Sequence, residues 1–119
     1  MRSRYLIYKH NNVSLKDADI IILFHFAASR SIAIDIFVKK GIYNDAIDEL
    51  FHFFNHRIPN CPFVRAFRRR KEFKDFIYVG SEDLRHYLMS YNVEIIRKLM
   101  EVYKSHKVLL MIGEDTEND

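Results

Sequence analysis

Cysteine, glycine and proline are scarce in this chain, and tryptophan is absent. The single cysteine, Cys61, excludes an intramolecular disulfide framework and fits a reducing compartment, so we expect a cytoplasmic or other intracellular protein. No apolar run approaches the roughly 20 residues that cross a bilayer, so we expect no membrane partner. The N-terminal residues 1–5 lead into an apolar run of only four residues, 5–8, and we therefore expect no secretory signal peptide.

Apolar residues are plentiful: 49% of the 119 residues are hydrophobic and 14% are aromatic. A disordered segment lacks this much apolar surface, and a chain of this size supports one hydrophobic core. We therefore expect a single globular domain over residues 1–113. Residues 114–119 hold four of the sixteen acidic residues. We expect them to form a flexible acidic tail, either a solubilising end or a screen for the basic body.

Three apolar runs predict strands in the first third of the chain. Residues 5–8 are aromatic and β-branched, which is typical of a strand. Residues 19–28 are almost unbroken apolar with three consecutive isoleucines, which favours a buried strand. Alternation in residues 32–39 predicts a third strand whose second face carries Asp35 and Lys39 as solvent-facing charges. The polar residues between the last two runs predict a hairpin.

Helical and strand patterns then alternate. In residues 44–58 apolar side chains recur every three or four positions, and a second helix is predicted over residues 63–74. A strand over residues 76–80 is followed by a helix that begins at residues 81–83, with Ser81 as its cap, and by an apolar run at residues 108–113. This strand–helix–strand spacing predicts a βαβ-like unit.

These elements predict an α+β fold: a small single-sheet sandwich with an N-terminal strand, a hairpin, helices and a C-terminal βαβ-like unit. The alternative is an all-α bundle in which residues 14–40 form two helices, because Ser14 followed by Asp17 is an acceptable helix start. The two alternatives also differ in whether residues 63–74 are exposed.

The positive charge is concentrated in one stretch. Residues 65–75 contain six basic and two acidic residues, a net charge of +4, against −1 for the rest of the chain. Guanidinium groups clustered in this way suit phosphate, because each offers a planar fork of donors and stays charged. The alternative is a self-neutralised surface in which Glu72 and Asp75 pair with the basic residues four positions earlier. The six basic residues are Arg65, Arg68, Arg69, Arg70, Lys71 and Lys74.

We therefore expect a small, non-catalytic nucleic-acid-binding protein without a cofactor, whose six basic residues contact the phosphate backbone of DNA or RNA. About three to five such contacts would make the affinity fall steeply with salt. We expect a homodimer, since a twofold pair doubles the few contacts that one small module offers. Phe53 and Tyr78 are candidates for base stacking, with core packing as the alternative.

Two other functions remain open. One is a protein-interaction module, such as a viral or mobile-element modulator of a host protein, in which aromatic and Met-rich helices present a binding patch. The other is a small nuclease. His52 and His56 lie four residues apart on the polar face of the 44–58 helix, and Cys61 follows, so these three side chains are candidate metal ligands. The alternative, which we expect, is a solvated helix face without metal.

The sequence from Tyr103 to Lys107 resembles the Tyr-x-x-x-Lys motif of rolling-circle replication initiators, in which the tyrosine attacks DNA. In that family a His-apolar-His pair on a strand holds the metal, and here His25 is the one histidine at a comparable place. Asp35 and Lys39 share a strand face, as a carboxylate and an amine do in some metal-dependent nucleases. The alternatives are a helix-end core position for Tyr103 and ordinary strand charges for the other pair.

Overall fold

The structure, a computed structural model, describes residues 3–26, 32–52, 65, 68–83 and 93–117. In chain order its elements are β1 (Ser3–Lys9), β2 (Ile20–Phe26), β3 (Ile32–Lys39), α1 (Asp45–Leu50), a 3-10 turn (Lys71–Phe73), β4 (Phe76–Asp83), α2 (Glu94–Ser105) and β5 (Val108–Glu117). Five strands in one sheet confirm the α+β prediction. The all-α alternative is wrong, because residues 14–40 contain β2 and β3.

The strands are ordered β1-β5-β2-β3-β4 across the sheet. β5 runs parallel to β2, and every other neighbouring pair is antiparallel. β2 and β3 pair with Ile22 opposite Ile36, as the predicted hairpin requires, and the residues that connect them lie outside the described part of the chain. β4 and β5 do not pair, because β3 and β2 lie between them. The finer description as a sandwich with a βαβ-like unit stays a prediction.

One face of the sheet, here called the helix face, packs against α1 and α2. The side chain of Asn44 caps α1 by accepting the Ile47 N–H at 2.9 Å. α2 contributes an apolar stripe at helical spacing. Burying each of these aliphatic side chains stabilises the fold by about 1.5–3 kcal/mol. The hydrophobic core on the helix face consists of the buried residues Ile20, Ile22, Ile34, Ile36, Val38, Ile47, Phe51, Val79, Ile95, Leu99, Val102 and Val108.

The opposite face, here called the loop face, is covered by the loop after β1 and by the residues before β4. Its buried cluster comprises Ala18, Ile21, Leu23, Phe37, Phe73, Phe76, Leu109 and Met111. Both faces of β3 are therefore covered, and Asp35, on the loop face, is 2% exposed. The prediction that Asp35 faces solvent is wrong for this reason. Lys39 is half-buried, and its Nζ donates to the carbonyl oxygen of Lys16 at 2.8 Å.

Two predicted helix boundaries are also wrong. Ser81 lies within β4, opposite Asp35 of β3, so it does not cap a helix. Strand pairing extends β4 to Asp83, and α2 is described from Glu94. The helix predicted over residues 63–74 does not continue to its end, since Arg70 is extended and a 3-10 turn follows. This break turns the chain so that Phe73 reaches the loop-face core.

The acidic end of the chain is paired for most of its length. Ser3 lies opposite Glu117 and Leu6 opposite Glu114, because β1 offers its backbone hydrogen-bonding groups to this part of β5. The boundary predicted at residue 113 therefore does not coincide with the end of the sheet. Within the described ranges, neither helix has the length and apolar character that a membrane span requires.

Candidate nucleic-acid interface

The basic segment, residues 65–75, is attached to the loop face by aromatic side chains. Phe73 is buried in the loop-face core, and Phe76 follows it at the start of β4. Arg65 and Arg68 have helical backbone, whereas Arg70 is extended. All six predicted basic side chains are exposed. The structure therefore holds the segment by its aromatic residues and leaves its cations in solvent.

Three of the six basic residues line one open cavity. Arg65, Arg68 and Arg69 line a cavity of about 330 Å³, here called the arginine cavity. Arg70 and Lys74 are not among its described lining residues. The predicted cluster is therefore divided into three arginines that line a cavity and three other cations, Arg70, Lys71 and Lys74, further along the segment.

The acidic residues of the segment do not neutralise it. Among the described residues, none of the six cations lies within ion-pair distance of a carboxylate. Glu72 and Asp75 are exposed, and the i,i+4 pairs of the self-neutralised alternative do not form. Such pairs need a continuous α-helix, which the break at Arg70 removes. No described carboxylate therefore offsets the positive charge of the segment.

Tyr78 of β4 supports one of the three cavity arginines. The guanidinium carbon of Arg68 lies 5.2 Å from the centroid of the Tyr78 ring, a cation–π contact. Phe37 also packs against this ring, with the two ring centroids 5.3 Å apart at an interplanar angle of 59°. Tyr78 therefore packs between core and cation. Base stacking by Tyr78 stays a prediction, and Phe53 lies outside the described residues.

Beneath Tyr78 lies a buried carboxylate that the sequence interpretation did not assign to this site. The hydroxyl of Tyr78 donates to Oδ1 of Asp35 at 2.9 Å, and the Ser81 side chain also hydrogen-bonds this carboxylate. Burial raises the pKa of Asp35 to about 6, although both hydrogen bonds act to lower it. Burial, and then the nearby carboxylate, raise the pKa of Tyr78, which keeps its proton for the hydrogen bond.

A β-bulge brings these hydroxyl groups together. In a regular strand, Tyr78 and Ser81 would point to opposite faces, because side chains alternate. The register between β3 and β4 shifts between Ile36 and Phe37, so that β4 carries one extra residue. Both hydroxyl-bearing residues therefore lie on the loop face beside Asp35. A carboxylate inside an apolar strand is the one feature of the sequence that points to this site. The bulge depends on how β3 and β4 pair, so it could not be predicted from the sequence of either strand.

Of the three candidate metal ligands, the described residues include only His52. His52 is exposed, with Nδ1 2.6 Å from the Glu49 carbonyl oxygen and 3.7 Å from its carboxylate. His56 and Cys61 lie outside the described residues. Within the described ranges, no group of three His, Cys, Asp or Glu side chains is placed to hold a metal ion.

The residues that resemble a rolling-circle initiator are on different sides of the sheet. Tyr103 lies on α2, on the helix face, and is 50% exposed rather than part of the core. His25 is buried and follows the alternation that places Leu23 on the loop face. The sheet therefore separates the tyrosine from the histidine.

Comparisons of the chain with protein-family models, with curated proteins and with solved structures identify no match.

Proposed function

We propose that this protein binds nucleic acid without catalysing a reaction, and that the basic segment is its phosphate-contacting surface. The observation that carries this proposal is the exposure of six cations that no described carboxylate neutralises. Arginine and lysine side chains in this state bind phosphates and release the counterions that nucleic acid had condensed. The lone Cys61 supports an intracellular site of action.

Binding to single-stranded and duplex forms of DNA and RNA, measured by fluorescence anisotropy at several salt concentrations, tests the proposal. About three to five phosphate contacts predict that log K falls against log salt with a slope of about −3 to −4.5, since each contact contributes about −0.9 on duplex DNA. No binding at low salt, or an affinity that does not change with salt, would remove the proposal.

A pair of double variants locates the surface. Arg70→Gln/Lys71→Gln removes two exposed cations from the basic segment, and we expect it to reduce the salt slope by about 2. Arg97→Gln/Lys104→Gln removes the same charge from exposed positions of α2, on the helix face. We expect this control to keep the wild-type slope. Equal losses in both variants would indicate a general charge effect instead of a localised surface.

The proposal includes a homodimer, because one basic segment offers few contacts and a twofold pair doubles them. Analytical ultracentrifugation of the protein with and without a short duplex measures this directly. We expect a mass twice that of the 14.3-kDa chain. A single-chain mass in both samples would contradict the dimer while leaving the phosphate-contacting surface in place.

A second candidate function, a protein-interaction module, is favoured by a different surface. Val93, which immediately precedes α2, and Met100 and Tyr103 of α2 are each about half exposed. At helical spacing they lie along one side of α2. Such an apolar stripe is typical of a surface that binds another protein. Capture of the same partner after nuclease treatment by wild type, and its loss with Met100→Ser/Tyr103→Ser, would support this function. Capture that nuclease abolishes would favour nucleic acid.

A further inference from the structure

The charge density of the arginine cavity exceeds what an internal phosphodiester needs. Three arginines, Arg65, Arg68 and Arg69, line an open cavity of about 330 Å³, which is at the small end of ligand pockets, about 300–1,000 Å³. An internal phosphodiester carries one negative charge. A phosphomonoester carries about −1.5 to −2 at neutral pH and has three acceptor oxygens. Three arginines lining one cavity supply the charge and the planar donors that suit this second group better.

One of the three guanidinium groups is positioned before any ligand binds. Arg68 lies over the Tyr78 ring, and the Tyr78 hydroxyl is held by the buried Asp35 carboxylate. Phe37 packs against the same ring. A side chain that is already ordered loses less conformational entropy on binding than a free one. The cavity thus combines high positive charge with a donor in a set place.

From this geometry we propose that the arginine cavity binds the terminal phosphate of a nucleic-acid strand, so that the protein distinguishes a phosphorylated strand end from an internal position. The inference rests on the proposed function, because it takes nucleic acid as the ligand. Within it, Arg65, Arg68 and Arg69 contact the end phosphate, and the three other cations of the basic segment contact phosphates along the strand.

Matched oligonucleotides that differ only at their ends test this inference. We would measure Kd by anisotropy for internally labelled strands with a 5′-phosphate, a 3′-phosphate or hydroxyl groups at both ends. We expect one phosphorylated form to bind about tenfold more tightly than the hydroxyl form, as an added charge-assisted hydrogen bond predicts.

Two double variants with equal charge loss assign the preference to the cavity. Arg65→Gln/Arg69→Gln removes two cavity arginines and leaves Arg68 on Tyr78, and we expect it to abolish the preference for the phosphorylated end. Arg70→Gln/Lys74→Gln removes two exposed cations outside the described lining. We expect it to weaken all strands alike and keep the preference. If the first double variant does not fold, Arg65→Gln and Arg69→Gln are measured singly.

The outcomes separate the two proposals. Equal wild-type affinity for phosphorylated and hydroxyl ends overturns this inference and leaves the proposed function standing, whereas no binding to any strand overturns both. Loss of the preference in both double variants overturns its assignment to the arginine cavity. A mononucleotide that competes as effectively as the phosphorylated strand overturns the assignment to strand ends and indicates a free nucleotide as the ligand.

Discussion

At the scale of single residues, Asp35 shows how environment changes the chemistry of a side chain. The alternation of β3 places Asp35 on the face opposite Ile34 and Ile36, which in a half-exposed sheet would be solvent. The loop-face core removes that solvent, and within the described part of the chain the hydrogen-bond partners of the carboxylate are the hydroxyl groups of Tyr78 and Ser81. A buried charge with only neutral donors is expensive to keep ionised.

The pH dependence of stability tests this description of Asp35. Its pKa is raised from 3.8 to about 6, so the folded state binds this proton more tightly than the unfolded chain does. The resulting stabilisation is fully present below pH 3.8 and is lost as the pH rises through 6. In Asp35→Asn the carbonyl still accepts from Tyr78. Between pH 4 and about 7.5 we expect the free energy of unfolding to fall by about 2 kcal/mol more in wild type than in this variant.

Urea denaturation at a series of pH values measures this difference. Asp75→Asn, at an exposed carboxylate of the basic segment, is the control for the loss of one negative charge. If the difference in stability between wild type and Asp35→Asn stays constant with pH, burial does not raise the pKa of the Asp35 carboxyl group.

At the scale of elements, the basic segment depends on its aromatic residues for its place. Its cations repel one another and make no ion pair with a described carboxylate, so electrostatics does not hold it against the sheet. Phe73, at the end of the 3-10 turn, and Phe76, at the start of β4, anchor it on either side of Lys74 and Asp75. Hydrophobic contact therefore opposes charge repulsion within a few residues.

Truncation of Phe73 tests this anchoring. Phe73→Ala removes a buried ring, and we expect the free energy of unfolding to fall by about 3–5 kcal/mol. Phe26→Ala, at a 40% exposed phenylalanine of β2, is the matched control, and we expect a loss below about 1 kcal/mol. Phe73→Leu should fall between them and remains measurable if the alanine variant unfolds. Equal losses at the two positions, measured by urea denaturation, would contradict the anchoring role.

At the scale of the whole molecule, the central strand β2 pairs directly with the C-terminal strand β5. β2 lies between β5 and β3, and its residues Ile20 to Leu23 are buried on both faces. β1 and β4 each pair with one described strand. The pairing of β2 with β5 joins residues 88 positions apart, Ile20 with Val108, so the N-terminal hairpin cannot complete its core without the C-terminal strand.

Amide hydrogen exchange followed by NMR should show that the central strand β2 is more protected than the edge strand β1. We expect the amides of β2 to exchange most slowly, at rates set by global unfolding, because both faces and both edges of this strand are covered. The amides of β1 should exchange by local opening and more rapidly. Equal protection of β1 and β2 would show that the sheet opens only as one unit.

The sequence by itself determined the α+β class, the approximate positions of the strands and the concentration of charge in residues 65–75. Each of these follows from residues close together in the chain: β-branched runs favour strands locally, and charge can be counted. Only the tertiary structure decided the strand order, the bulge beside Asp35, the burial of that carboxylate and the arginine cavity. These depend on pairing between distant segments and on which surfaces lose water, and neither property belongs to any short stretch of the chain.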